Sequence, residues 1–351
     1  MASEPLGPAG AIDRRRLIYR WDLDKTYLRT DFDTLRDLWH RAFERASDKR
    51  TVPGAAPLLR ELRATGPAGI YILSGSPEQM RRVLEAKLRL DGIRWDELIL
   101  KPSLRNLLRG HFGFLKDQVG FKLSAMLGSR EPLASELDEI LFGDDAETDA
   151  FVYSLYADLC AGRVGQSTLL AVLEHTAMTS SDVVELLAVI GRLPKRDHCR
   201  RIFIHLERVS SLDTFEPYGR RVCPFYNYFQ PALVLLEAGA IDALAALRVA
   251  AELVIDQAFT PDALVASYRE LARRGQLSGL AAERIAESLA SLQPHELSTA
   301  TPVLRAFGEE LGRMSLPRFE AEPEPPIDYA ALLDRERTRA KAAKHRVLRR
   351  F

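Results

Sequence analysis

Four short segments carry most of the groups in this chain that could do chemistry: Asp22-Leu23-Asp24-Lys25-Thr26, Ser74-Gly75-Ser76-Pro77, Lys122, and Gly143-Asp144-Asp145-Ala146-Glu147-Thr148-Asp149. Asp22 and Asp24 stand two apart, so on an extended segment both carboxylates project to one face. Paired carboxylates can divide the work of a displacement: one attacks as nucleophile, while the other protonates the leaving oxygen and later deprotonates water. Two anions beside an anionic substrate need a cation, and hard oxygen ligands select Mg²⁺. Asp144 and Asp145 are placed to complete that metal site from another strand. The Ser74 hydroxyl and the backbone N–H groups of Gly75 and Ser76 suit phosphoryl oxygens at the start of a helix. Lys122 suits the charge that builds on a transferred phosphoryl group, with Lys116, six residues earlier, as its competitor. Singly, each motif has an ordinary reading: Asp-rich strand ends are turn and cap residues, Ser76 before Pro77 is a helix cap, and most lysines are solvated. Together they suit phosphoryl transfer.

The elements that must position these groups are strands. Apolar runs at Leu17–Trp21, Ile70–Leu73 and Ile140–Phe142 precede the first, second and fourth motifs. Further strands are expected at Glu97–Leu100 and Arg201–His205, the fourth strand beginning at Glu139. Between them helical spacing recurs over Thr30–Ala46, Ala55–Ala64, Glu78–Leu90, around Lys122–Leu127, and over Ala150–Leu159. Strands alternating with helices predict an α/β fold, a Rossmann-like three-layer parallel sheet whose carboxyl-end loops converge on one crevice. Arg20 is out of place in a strand buried on both faces. Two additional helices are expected within 167–191, and after the fifth strand the pattern reads as all-helical, with starts at Thr260-Pro261, Ser278 and Thr301-Pro302. The resulting division is 13–210 for the catalytic core, 211–318 for the helical C-terminal region, and 319–351 for a Pro/Glu linker and basic tail.

Composition narrows the function classes. Lys+Arg 49 against Asp+Glu 49 leaves no net field, so nucleic-acid binding is not expected. Cys160, Cys199 and Cys223 have neither disulfide-like nor metal-like spacing, the histidines show no ligand spacing for zinc, and Met1–Ile12 does not read as a signal peptide. A cytoplasmic location follows as the expectation. The most apolar stretch, Ala232–Val254, is broken by four charged residues and is not read as a membrane span. The aromatic run Phe225–Phe229 reads as core, and the tail Arg335–Arg350 as a solvated end that could also contact anionic lipid at a membrane surface.

The ordered set DLDKT, a strand-end Ser, a Lys and GDDAETD resembles the four-motif signature of the haloacid dehalogenase-like phosphohydrolases, over roughly residues 15–210. The resemblance implies Asp22 as the nucleophile that forms an aspartyl phosphate and Asp24 as acid/base. It implies Ser74 and Lys122 as phosphoryl binders, with Gly75 beside them, and Mg²⁺ held by Asp22, the Asp24 carbonyl and Asp144. Asp145 matches a looser metal position, and Asp149 would orient the metal shell. Val52-Pro53-Gly54, Tyr71–Pro77, Phe121-Lys122-Leu123 and the GDDAETD spacing further resemble the phosphatidate phosphatase domain of actin-patch proteins and its bacterial relatives. That likeness implies a phosphorylated lipid such as phosphatidate as the substrate. Lys25 departs from it, standing where many phosphatases of the superfamily carry Gly or Asp. The short intervals 27–68 and 93–120 imply little or no cap over the site. Two other functions remain compatible with the residues: a non-catalytic scaffold or binding protein on the same fold, and a nucleic-acid end phosphatase.

Overall fold

The computed structural model describes residues 12–28, 51–102, 114–176, 178–208, 210–293, 297–314, 325–336 and 338. The helix expected over Thr30–Ala46 and most of the basic tail lie outside the described residues. So do 29–50 and 103–113, parts of the two intervals in which a cap would be inserted.

Six strands form one sheet: β1 (Leu17–Asp22), β2 (Gly69–Pro77), β3 (Glu97–Lys101), β4 (Asp138–Asp144), β5 (Cys199–His205) and β6 (Val222–Phe225). Every neighbouring pair is parallel, in the order β3-β2-β1-β4-β5-β6. The order reverses beside β1, and a doubly wound sheet opens its crevice at the carboxyl ends there. Five of the strands lie where the apolar runs predict them. The sixth corrects the all-helical reading of the chain beyond β5. It is only four residues long and contains Pro224, and a proline, lacking an N–H, marks an edge strand or none.

The strand register explains the core. Trp21 of β1 pairs with Phe142 of β4, and Phe142 with Phe203 of β5, so three large rings stack side by side on one face. Their centroids are 3.9 Å and 4.9 Å apart. This face packs against α1 (Ala55–Ala64) and α2 (Arg81–Leu90). It also meets the C-terminal helices α7 (Phe229–Glu237), α8 (Ala243–Gln257), α9 (Pro261–Arg273), α10 (Leu280–Ser291) and α11 (Thr301–Gly312), which share one hydrophobic core with the sheet. Phe225 and Tyr228 of the aromatic run are buried in that core, as their composition predicts. The opposite face is covered by α3 (Phe114–Arg130), α4 (Asp149–Ala161), α5 (Gln166–Leu173) and α6 (Ser180–Arg192). The last two are the paired helices expected within 167–191. All but one of the residues of α4 are buried, so this helix is covered on every side and sits between the sheet and an outer layer. The outer layer includes a helical turn from Tyr329, whose hydroxyl donates to Asp158 of α4 at 2.6 Å.

Arg20, on the face opposite Trp21, is accommodated by a buried ion pair. Its Nε and Nη2 donate to Glu139 Oε1 of β4 at 3.0 and 2.9 Å, and Nη1 donates to the Ser129 hydroxyl at 2.6 Å. Glu139 also receives the Tyr156 hydroxyl at 2.6 Å and faces His198 Nε2 at 3.0 Å. Burial alone would raise the Glu139 pKa, but Arg20, His198 and Arg130 hold it far below the usual carboxylate value. Among the described residues no helix is long and apolar enough to cross a membrane, and the three cysteines are free and buried.

Candidate active site

The carboxyl end of β1 delivers Asp22 into the crevice on the α3/α4 face, because residues two apart on a strand share a face and Asp22 follows Arg20. Lys122 comes from α3 and Asp149 from the first residue of α4; Asp144 ends β4. Asp22, Asp144 and Asp149 each bring one carboxylate oxygen within 4.8 Å of the others, and all three side chains are buried. Lys122 is also fully buried. Its Nζ lies 2.8 Å from Asp22 Oδ1 and 2.8 Å from Glu147 Oε2, and it contacts Asp149 Oδ1. Of the two candidate lysines, Lys122 is therefore the one at Asp22; Lys116 lies in the same helix, outside the described side chains.

The cluster is held from behind by backbone. Asp144 Oδ1 accepts from the N–H groups of Ala146 and Glu147 at 2.6 and 3.0 Å, and Asp149 Oδ2 accepts from Asp144 N–H at 3.2 Å. Gly143 makes this possible: a Cβ there would lie 2.6 Å from the Asp149 Cβ. Asp22 differs. Among the described residues neither of its buried oxygens accepts a well-directed hydrogen bond, and Lys122 faces it as an ion-pair partner. A buried carboxylate left this way is costly unless something else occupies the space in front of it.

The electrostatics of the cluster are those of crowded buried acids. Burial raises the Asp22 pKa well above the usual value, with Lys122 opposing and Asp149, Glu147 and Asp144 adding to the rise. Asp144 is raised in the same direction by burial and by Asp149. Asp149 is pushed up to about 6 by burial against the pull of Lys122. For Lys122, burial opposes the charge, but Asp149, Asp22 and Glu147 together raise its pKa well above the usual lysine value. Three buried hard-oxygen donors converging in this way could hold a metal ion. Asp22, Asp144 and Asp149 would hold it.

Asp24 and the second motif form a separate subset. Asp24 Oδ2 accepts from the Ser74 hydroxyl at 2.6 Å and from the Ser76 hydroxyl at 3.3 Å. Ser74 in turn accepts from the Ser76 N–H at 3.0 Å. Ser74 is thus engaged with Asp24, and Ser76, read from the sequence as a helix cap, joins the same carboxylate, Pro77 standing at the cap position of the short turn that follows. Asp24 is outside the three-carboxylate cluster. So is Asp145: its two oxygens accept from the N–H groups of Arg208 and Ser210 at 2.8 and 2.9 Å, which pins the loop after β5. Asp149, expected one layer out, sits inside the cluster instead.

Lys25 adopts a left-handed conformation with φ 60°, which costs an L-residue about 1–2 kcal/mol. The surrounding contacts impose it. Lys25 N–H donates to Leu28 O at 2.8 Å, its carbonyl faces His205 Nδ1 at 3.2 Å, and the Tyr228 hydroxyl donates to the Thr26 carbonyl. Burial and the neighbouring Arg208 lower the Lys25 pKa, against Asp144, Glu147 and Glu207. Sequence reasoning passed over Glu147, Thr26 and His205. Glu147 stands within the fourth motif and could have been taken from it. Thr26, whose hydroxyl reaches Asp144 at 3.4 Å, and His205 gave no signal by spacing.

No protein-family profile, curated protein or solved structure matches the chain.

Proposed function

We propose that this chain is a Mg²⁺-dependent phosphomonoester hydrolase that works through an aspartyl phosphate on Asp22. The observation that carries the reading is the state of Asp22: buried at a strand end, free of well-directed hydrogen bonds among the described residues, facing a buried lysine, and within reach of two further carboxylates. An oxygen of Asp22 attacks phosphorus; the bond from phosphorus to the ester oxygen breaks, and Asp24 gives that oxygen its proton. Asp24 then takes a proton from water, which attacks the aspartyl phosphate and releases inorganic phosphate and free Asp22. Mg²⁺, when bound, supplies the positive charge that lets a phosphoryl group approach four acids. Lys122 neutralises charge on the transferred group and favours the ionised form of Asp22 against the effect of burial. Ser74 and Ser76 hold the Asp24 carboxyl in place, and the backbone around Gly75 suits the phosphoryl oxygens. The motif order that resembles the haloacid dehalogenase-like enzymes supports the same assignment, and the finer likeness makes phosphatidate the first lipid to assay.

The test is hydrolysis of a panel of lipid, sugar, nucleotide and peptide phosphomonoesters with Mg²⁺, with chelator, and with Asp22→Asn. Mg²⁺-dependent phosphate release that Asp22→Asn abolishes while remaining folded is the expected result. Turnover by Asp22→Asn within a few-fold of the wild type, or full turnover in excess chelator, rejects the assignment. Absence of turnover on every ester favours a non-catalytic protein on this fold.

A further inference from the structure

One buried polar group in the crevice has no part in the chemistry above. Gln118 lies on α3 one turn before Lys122 and is 6% exposed. Among the described residues its Oε1 is buried and accepts no hydrogen bond. Its amide is pressed against the second motif: a Cβ at Gly75 would lie 2.6 Å from Gln118 Nε2 and 3.2 Å from Oε1, so a glycine at 75 is what admits it. A buried amide oxygen without a partner costs on the order of 1–3 kcal/mol, and natural structures keep few of them.

The direction of α3 says where this amide stands relative to the reacting atoms. Lys122 meets Asp22 at the carboxyl end of β1, whereas Ser129 and Arg130, two turns later, meet Arg20 and Glu139 deeper in the sheet. The helix therefore descends from the mouth of the crevice towards its floor. Four residues of helix rise about 6 Å, so Gln118 sits about that far outward of the Lys122 level. Residues at i and i+4 share a helix face. On the proposed reaction Lys122, against Asp22, marks the level of the phosphoryl group, and the space one turn further out is where the alcohol portion of the ester would lie. An amide oxygen accepts hydrogen bonds, so it does not suit phosphoryl oxygens, which also accept. It suits a hydroxyl.

We infer that Gln118 is a specificity-determining residue that accepts a hydrogen bond from a hydroxyl on the leaving alcohol, so that the site selects phosphomonoesters of polyols with a free hydroxyl over esters of simple alkyl alcohols and over phosphatidate, whose other two glycerol hydroxyls are acylated. The inference rests on the proposed phosphatase reading for the identity of the leaving group, but it is tested through binding and does not need turnover. The probes are two phosphonates that cannot be hydrolysed, 3,4-dihydroxybutylphosphonate and butylphosphonate, titrated with Mg²⁺ into the wild type and into Gln118→Met, which keeps the length of the side chain without its amide. The wild type is expected to bind the dihydroxy compound on the order of tenfold more tightly or better, because an alkyl chain leaves the amide unpaired. Gln118→Met should lose that preference and, without ligand, melt at the same temperature as the wild type or higher, since it removes an unpaired buried polar group. Equal wild-type affinity for the two phosphonates overturns the inference. So does a preference that survives in Gln118→Met, or a wild type that binds neither compound. If Gln118→Met fails to fold, Gln118→Leu takes its place, and the wild-type comparison alone still decides against the inference when the affinities are equal. A wild type that discriminates between the phosphonates but hydrolyses no ester sinks the phosphatase reading and leaves the role of Gln118 standing.

Discussion

Replacing Lys122 by methionine separates the electrostatic account of the crevice from any assumption about substrate. The ammonium is fully buried, 2.8 Å from Asp22 and 2.8 Å from Glu147, and in contact with Asp149. Removing one partner of a buried ion pair typically costs about 3–5 kcal/mol, because the other charge is left without compensation. Here three carboxylates lose the same partner, which places the cost towards the upper end, moderated by proton uptake at Asp149, whose pKa is already about 6. Unfolding entropy of about 2.1 cal/mol/K per residue gives about 0.7 kcal/mol/K for the 351 residues, so the melting temperature should fall by roughly 4–7 °C in metal-free buffer near neutral pH. Losing the lysine also raises the folded-state pKa values of the acids further above their unfolded values. The folded variant then binds more protons than the unfolded chain, so its deficit grows as pH rises from about 4 and shrinks on acidification. Mg²⁺ binds the folded cluster and stabilises it by mass action. Because the ammonium no longer competes for the same oxygens, Lys122→Met should gain more from millimolar Mg²⁺ than the wild type does. Differential scanning calorimetry with and without Mg²⁺ reads both effects. An unchanged melting temperature in metal-free buffer, or a Mg²⁺ increment no larger than that of the wild type, refutes the reasoning.

Three other outcomes are expected. Asp24→Asn should retain Mg²⁺ binding by calorimetry but lose turnover by on the order of 10²–10⁴-fold on alkyl phosphates and by much less on nitrophenyl phosphate, whose leaving group needs little protonation; equal losses on both count against Asp24 as the acid. Gly143→Ala should push Asp149 out of the cluster and destabilise the protein by about 1–3 kcal/mol, with weaker Mg²⁺ affinity, since the added methyl would meet the Asp149 side chain. Glu139, held ionised by Arg20 and His198, contributes stability that is present above the unfolded carboxyl pKa of about 4.3 and lost as pH falls below it. Glu139→Gln should therefore be less stable at neutral pH by about 3–5 kcal/mol, with a flatter decline in acid, as a pH series of melts will show.

The parts of this architecture that were legible in the sequence are those whose signal is local. A parallel strand covered on both faces is a continuous apolar run, which is why β1, β2, β3, β4 and β5 could be placed, and why β6, short and interrupted by Pro224, could not. Arg20 declared itself as an anomaly within its strand, but Glu139, which explains it, is 119 positions away. Lys116 and Lys122 are alike as residue types; the packing of α3 against β1 separates them. Asp144 and Asp145 are adjacent and chemically identical, yet Asp145 is engaged by two backbone N–H groups from the loop after β5, an arrangement no spacing rule contains. Gln118 and Thr26 matter only through partners from other elements. The order of the motifs located the crevice, and long-range packing decided which of the nearby acids belong to it.

The hydrogen bond from Tyr228 to the Thr26 carbonyl spans 202 positions and has a consequence for the nascent chain. Gly54, before α1, also lies directly under Tyr228, where a Cβ would come 2.8 Å from the tyrosine Cβ. Two segments near the amino terminus thus await a residue translated long after them. At 5–20 residues per second, about 10–40 s separate the synthesis of Thr26 from that of Tyr228. During that interval the acidic loop emerges from the ribosome without its clamp, and β1 presents Trp21 with no tyrosine to cover it.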